Sequence, residues 1–430
     1  MDVEASGETC LDIRPRAGDS CTAQLALLQG DSPLYDAVID EIDGRRIRIG
    51  DHWLTDFASC NYLGFDLDPQ IIAAIEPAVR RWGTHPSWSR MLGNPRPYPE
   101  IEERLTELLA APDTLVLPTI SQIHLTALPA IAGRGQIFLD GRAHRTLFEG
   151  ARVAAGQGTT VYRYPADDLV ALEELLAGSR VDGPRVICTD GVNSMTGNLP
   201  DLPALASLAR RHDALLYVDD AHGFGVIGER SPAEPGPYGL RGNSIVRHAG
   251  LDYDGIILVG GFSKAYSSLL AFLALPTGLK QRLKIAATPY LYSGPSPVAS
   301  LATVLAGFEV NAERGDALRA ELHRMTARVL DTVRELGLAC LNRSGLPIVE
   351  IPVSDPDDLL GAGRYLFRHG VYATMAAYPL VPRDEVGFRI QVTAANTDEQ
   401  IEDLCRVLRG VAGRFRQQAR SAQRDAGSAG

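Results

Sequence analysis

Hydrophobic and polar positions change rhythm twice along the chain. Near the start, "DSPLYDAVIDEIDGRRIRIGDHWLTDFAS" predicts a helix and then a short hairpin turning at Asp43-Gly44. From about residue 68, "DPQIIAAIEPAVRRWG" and "YPEIEERLTELLAA" repeat apolar residues at three- and four-residue spacing, which predicts helices. Short apolar runs follow: "TLVLPT", "QIFLD", "TVYRY", "RVICTD", "ALLYVDD" and "GIILVGG". Amphipathic segments such as "DLPALASLARRHD" separate most of them. Strands alternating with helices predict an α/β fold, a mainly parallel central sheet covered by helices on both faces. Beyond Pro295 and Pro297 the alternation stops. A long helix is predicted over "VASLATVLAGFEVNAERGDALRAELHRMTARVLDTVREL", with Gly315 as a candidate break. The runs "PIVEIPV", "GVYATMA" and "FRIQVTA" predict strands of a smaller C-terminal α+β domain, closed by the helix "TDEQIEDLCRVLRGVAGRFRQQ".

This pattern divides the chain into an N-terminal arm (1–50, its first ~22 residues polar and mobile), a large α/β domain (51–297), a small domain (298–415) and a disordered tail (416–430). Composition narrows the functional classes. Net charge is −11 with no basic stripe, which disfavours nucleic acid. The six cysteines lie far apart and show no zinc spacing, so no metal site and a reducing, cytoplasmic setting are expected. The opening "MDVEASGETC" is acidic and lacks the apolar core of a signal peptide. No apolar run approaches the ~20 residues that span a bilayer, so no membrane is expected.

In open parallel sheets, ligands bind beyond the carboxyl ends of the strands. The residues just past the predicted strands are therefore the candidates. Of 42 basic residues only three are lysines, Lys264, Lys280 and Lys284. Lys264 follows "GIILVGGFS", at a predicted strand end. Burial disfavours an ammonium, and a neutral amine condenses with a carbonyl to form a Schiff base. Pyridoxal 5'-phosphate needs such a lysine, an acid for its ring nitrogen and a cup for its phosphate. Asp219, ending "LLYVD", supplies the acid, and His222 lies three residues on. His144, after "QIFLD", either stacks on the ring or caps the next helix. Thr119, Ile120, Ser121 and Gln122 open a predicted helix after "TLVL" and offer hydroxyls, an amide and N–H groups to a phosphate.

The ordered set "DFASCNYLGF", "FLDGRAHRTLFEGA", "TDGVNSMTGNLPDLPALASLARRHDALLYVDDAHGFGVIGE", "GGFSKAYS", "YLYSGPSPVAS" and "FRIQVTAANTDEQI" resembles the α-oxoamine synthases over about residues 50 to 415. These are fold-type I pyridoxal-phosphate enzymes that condense an amino acid with an acyl thioester, usually with loss of CO₂, to an α-amino ketone. The resemblance implies that Lys264 carries the cofactor and shuttles the Cα proton, with Ser263 beside it. It implies that Asp219 faces the ring nitrogen, that His222, Ser194 and Asp190 surround the same ring, and that His144 stacks on it. Arg389 would clamp the substrate carboxylate; read without the resemblance, it fits the exposed face of an edge strand equally. Asn61 and Tyr62 fall on the substrate side. Ser293, in "YLYS", matches a segment that reaches a partner subunit's phosphate, which implies a homodimer with shared active sites.

Four departures stand out against that pattern. Gly261 replaces a threonine, Asp190 replaces a glutamate, "PTISQI" replaces an "SGF" or "SGY" phosphate loop, and "GTHPSWSR" replaces a glycine-rich "GSGGSR". They imply a rebuilt phosphate cup and substrate pocket, and an enzyme of specialised metabolism. Trp88, Met91 and Tyr98 either reshape that pocket or simply pack. The same ring-binding set also suits another pyridoxal reaction (aldolase, aminotransferase or decarboxylase) or, less readily, an inactive partner subunit. Amino acid, acyl donor, and coenzyme A against carrier protein stay open. For a carrier protein, the basic patch would be Arg80, Arg81, Arg90 and Arg96.

Overall fold

A computed structural model describes residues 28–427 except 180–181, 235, 354–357 and 379. The N-terminal stretch expected to be mobile lies outside them. The hairpin forms as β1 (Glu41–Asp43) and β2 (Arg46–Ile49), joined by β3 (His52–Asp56). Its turn is Gly44-Arg45 rather than Asp43-Gly44, because Asp43 pairs with Arg46 across the ladder and Gly44 takes φ +58°. The helix expected ahead of it does not form: residues from Ser32 to Asp40 are turn and coil.

The main sheet has seven strands: β4 (Asp113–Leu117), β5 (Gln136–Asp140), β6 (Thr160–Tyr164), β7 (Arg185–Asp190), β8 (Ala214–Asp219), β9 (Ile256–Gly261) and β10 (Ala271–Leu275). Their spatial order is β4-β10-β9-β8-β7-β5-β6, and only β10 runs against its neighbours. Sequence periodicity had not marked β10. "AFLAL" is buried at every position, as β5 and β9 are. Its antiparallel direction follows from chain length: residues 262–270 are too few for the helical crossover that a parallel neighbour needs.

Helices α1 (Pro97–Leu109), α2 (Ile120–Ala132), α3 (Arg145–Gly156), α4 (Leu169–Gly178) and α5 (Leu202–Arg211) cover the sheet. The expected "DPQIIAAIEPAVRRWG" helix is two pieces, Pro69–Ala73 and Ile75–Trp82. The long helix α6 (Val298–Glu335) runs unbroken through Gly315. A Cβ at 315 would stand 2.4 Å from Asn311 Oδ1 and 3.0 Å from Arg319 Nη2. Glycine there leaves room for the buried Arg319, whose Nη1 donates to Gly225 O at 3.0 Å in the loop after β8. Thus α6 braces the turn that carries the candidate acid.

The C-terminal strands are β11 (Ile348–Pro352), β12 (Val371–Tyr372), β13 (Thr374–Ala376) and β14 (Gly387–Gln391). Three form the sheet β11-β14-β13, whereas β12 adds to the N-terminal hairpin through β3. The last helix α7 spans Asp398–Gly427, so most of the tail expected to be disordered is helical backbone. No helix among the described residues is long and apolar enough to cross a membrane.

On β11, Glu350 is fully buried with both carboxylate oxygens unpaired. Burial, reinforced by Glu385, pushes its pKa up to about 7. The folded chain therefore keeps this proton at a pH where the unfolded chain has lost it. Stability should fall as pH rises from about 4.5 to about 7. Glu350→Gln cannot ionise and escapes that loss. We expect it to gain about 2 kcal/mol over wild type at pH 8, and little at pH 4, in urea unfolding. An equal effect at both pH values would count against a buried, reluctant carboxylate.

Candidate active site

The parallel strands place their carboxyl ends on one side of the main sheet, and the cavity lined by most of the candidate residues opens there. Past β4, the N-cap and first turn of α2 supply Thr119, Ile120 and Ser121, and the loop after β5 supplies His144. From β7 onward come Asp190 and Ser194, from β8 Asp219 and His222, and from β9 Ser263 and Lys264. Five strand ends thus deliver the amine, the acid and both expected imidazoles to one concave space.

Asp219 and Asp220 have separate fates. Asp219 faces the cavity, accepting from Ala221 N–H at 3.0 Å and from His124 Nε2 at 2.9 Å. Burial alone would raise its pKa, but the His124 hydrogen bond and the nearby Lys264 and His144 outweigh that and hold it down to about 2. Asp220 turns away from the cavity and accepts from Ile245 N–H at 2.9 Å. Burial raises its pKa well above the usual carboxylate range.

Asp190 is also buried. It accepts from the His144 backbone N–H at 2.9 Å, while Oδ2 has no partner. Burial, then the Asp219 charge, raise its pKa well above normal. The two neighbouring carboxylates are thus pushed in opposite directions, Asp219 down and Asp190 up.

His144 is accessible at the cavity mouth and also caps α3, its Nδ1 lying 2.8 Å from Thr146 Oγ1. The two sequence readings of His144 are therefore compatible. Its pKa is lowered, first by partial burial and then by nearby cations. His222 is buried and held well below the ordinary imidazole value by burial. Its Nδ1 lies 2.7 Å from Tyr62 Oη, which in turn donates to Gln391 Oε1 at 3.2 Å.

Tyr62 is fully buried, so the expectation that it meets substrate is corrected: its hydroxyl is used up in orienting His222. Asn61 likewise lies outside the cavity lining and donates to Asp66 Oδ2 at 3.0 Å. Gln122 does not line the cavity; its main-chain N–H donates to Thr119 Oγ1 at 3.3 Å to cap α2. Ser293 stands outside its own chain's cavity. Arg389 lies on β14, the middle strand of its sheet, so the edge-strand reading does not hold. Its Nη1 donates to Ser194 O at 2.5 Å, while its Nε is buried without a partner.

Of the other pocket candidates, Trp88 and Met91 are exposed, whereas Tyr98 is buried and accepts from Ser296 N–H at 2.5 Å. Arg90 leaves the proposed surface patch. It is buried, paired with Glu102 at 2.9 Å.

Two residues at the centre of the site had no part in the sequence reading. His124 and Tyr217 lie behind Asp219, in hydrogen-bond contact with each other. The available signal was local: His124 is the one titratable residue in the apolar helix "ISQIHLTALPAIA".

The Gly261 departure has a steric reason. A Cβ there would come within 2.5 Å of Ile120 Cδ1, so Ile120 fills the space a larger residue would occupy. Gly261→Thr should drive Ile120 into the cavity. Overpacking of about 1–3 kcal/mol predicts roughly tenfold weaker pyridoxal phosphate binding. Adding Ile120→Ala should restore it, as read by absorbance titration. A single variant that binds normally would show that Ile120 simply swings aside.

An amine, an ionised acid and an accessible imidazole at the strand ends of this fold define a fold-type I pyridoxal-phosphate enzyme. Residues 54–408 match the aminotransferase class I and II family. The 8-amino-7-oxononanoate synthase of Stutzerimonas stutzeri is 33% identical over 368 residues, 85% of this chain and 89% of that one. That of Methylobacillus flagellatus is 32% identical over 390 residues, 90% and 92% of the two chains. Among solved structures, Sphingomonas wittichii serine palmitoyltransferase superposes with a TM-score of 0.80 at 22% identity, covering 91% of this chain and 95% of that one. The 8-amino-7-oxononanoate synthase of Francisella tularensis gives a TM-score of 0.71 at 19% identity, with 85% and 99% covered. The structural likenesses carry the fold. The chain belongs to the class I and II aminotransferase family and, within it, to the α-oxoamine synthases.

The residues present fit the cofactor. The lining joins an amine, an ionised carboxylate and the unpaired Asp190 Oδ2 in one cavity.

Proposed function

We propose that the enzyme condenses an amino acid with an acyl thioester, carried on coenzyme A or a carrier protein, to an α-amino ketone. The observation that carries this reading is the convergence of Lys264, Asp219 and His144 on one cavity, in a chain 33% identical to an acyl-transferring relative over 85% of its length. The balance is simple. The acyl C–S bond breaks, a bond from Cα to the acyl carbon forms, the thiol leaves, and CO₂ departs from Cα in the decarboxylative form.

Lys264, Ser263, Thr119, Ser121 and His222 would hold pyridoxal phosphate, which when bound supplies an electron sink for the bond broken at Cα. The chain's own residues do the rest. Lys264 Nζ takes and returns the Cα proton. Asp219 keeps a fixed negative charge at the floor of the cavity. His144, at the mouth, orients the incoming thioester. Arg389 lies outside the cavity lining, with Nη1 on the carbonyl of Ser194, which does line it; a small turn of the guanidinium would bring it onto a substrate carboxylate. Ser194 and Asp190 complete the walls.

The large and small domains correspond in this reading to residues 51–297 and 298–415, with Arg389 reaching from one to the other. Ser293 outside its own cavity and the neighbouring exposed Tyr292 support a homodimer in which "YLYS" serves the partner's site. The rebuilt Gly261–Ile120 contact and "GTHPSWSR" segment support a specialised pathway.

The test mixes holoenzyme with panels of amino acids and acyl thioesters and follows free thiol. Thiol release that requires both substrates is expected. Aldehyde or keto-acid formation with no thiol release from any donor would transfer the assignment to an aldolase or aminotransferase.

A further inference from the structure

We propose that His124, held by Tyr217, is a positioning residue that keeps Asp219 oriented and ionised toward the cofactor ring. This inference rests on the pyridoxal-phosphate reading and deepens it. His124 is fully buried in the first turns of α2, and both of its ring nitrogens are engaged. Nε2 lies 2.9 Å from Asp219 Oδ2, and Nδ1 lies 3.0 Å from Tyr217 Oη. Tyr217 and Asp219 are two apart on β8, so their side chains leave the same face of the strand. One ring from α2 thus bridges two residues of one strand, directly behind the cavity.

The partners determine where the protons sit. An ionised carboxylate only accepts, so Nε2 carries hydrogen and donates to Asp219. Nδ1 and the Tyr217 hydroxyl share the second hydrogen bond. Tyr217 suits this role, because burial raises its pKa well above normal and the hydroxyl stays protonated. A ring fixed in this way cannot rotate or exchange tautomers without breaking one of two buried bonds. Asp219 therefore has two fixed donors, His124 Nε2 and Ala221 N–H. They stabilise the carboxylate form in a place where burial works against it.

The other charged and titratable groups facing Asp219 come from separate elements: Lys264 after β9, His144 before α3, Asp190 on β7 and Asp220 beside it. A pH titration therefore needs variants that alter His124 and Tyr217 alone. His124→Leu removes the donor. His124→Gln places an amide N–H near the position of Nε2. Tyr217→Phe deletes a single hydroxyl and serves if His124→Leu fails to fold.

Each protein is titrated with pyridoxal phosphate, and the visible band of the bound cofactor is followed from pH 5 to pH 9. We expect His124→Leu to bind about tenfold or more weakly and to shift the pH midpoint of the band. His124→Gln should recover most of the affinity. Tyr217→Phe should move the midpoint in the same direction by less. A purely structural His124 would lower the melting temperature and leave the midpoint unmoved, and that result overturns the proposal. If wild type shows no band that depends on Lys264, the cofactor reading itself falls; a wild-type band with unmoved variants removes only the role of His124.

Discussion

Lys264→Ala should abolish coupled thiol release, with a loss of at least about 10⁴-fold in kcat/KM. The amine both holds the cofactor and moves the Cα proton, and groups that act as one unit account for large, non-additive losses. Purified Lys264→Ala should also lack the visible band that wild type retains after desalting. Among the described residues, neither remaining lysine can substitute. Lys280 is tied to Asp113 at 2.8 Å and Glu102 at 2.9 Å, and Lys284 lies over the Tyr290 ring. Added small primary amines should restore part of the proton transfer. A variant with near-normal turnover would remove the amine from the mechanism and the family-derived chemistry with it.

The second large effect contrasts two adjacent acids. Asp219→Asn removes the fixed negative charge from the cavity while preserving its shape. A loss of about 10³-fold in kcat is expected, comparable to removing one preorganised electrostatic contact. Asp220→Asn should cost less than about threefold, because Asp220 lies outside the cavity and turns toward the Ile245 N–H. Since Asp219 is held down to about 2, its ionisation should contribute no limb to the pH–rate profile between pH 5 and pH 9. Equal losses in both variants would show a damaged loop rather than a lost charge. These two measurements, made on the same preparation, separate the chemistry of the site from the stability of the turn that carries it.

Much of the site was legible because each principal residue follows a recognisable apolar strand. Lys264 stood out through the scarcity of lysine, and Asp219 and His222 through their place after "LLYV". Residues whose roles depend on packing were misread or unseen. The family resemblance set Tyr62 on the substrate side, yet its hydroxyl is buried against His222 and Gln391. Arg90 looked like surface charge, but Glu102 and the carbonyl of Val116 take it inside. Gly315 suggested a broken helix, whereas it accommodates the Arg319 guanidinium. In each case the deciding partner lies far along the chain, beyond the reach of local periodicity.

What the amino-acid order determined alone was the set of elements and the chemistry at their ends. Strand and helix periods are local, and a strand followed by an abrupt polar turn places that turn at the edge of a sheet. Tertiary structure decided which ends meet. The order β4-β10-β9-β8-β7-β5-β6 brings the ends of strands distant in sequence to one cavity, with β10 inserted between β4 and β9. It also decided in which direction each of two adjacent aspartates is shifted, because that depends on a histidine from another helix and on the depth of burial, and neither is written in the local sequence.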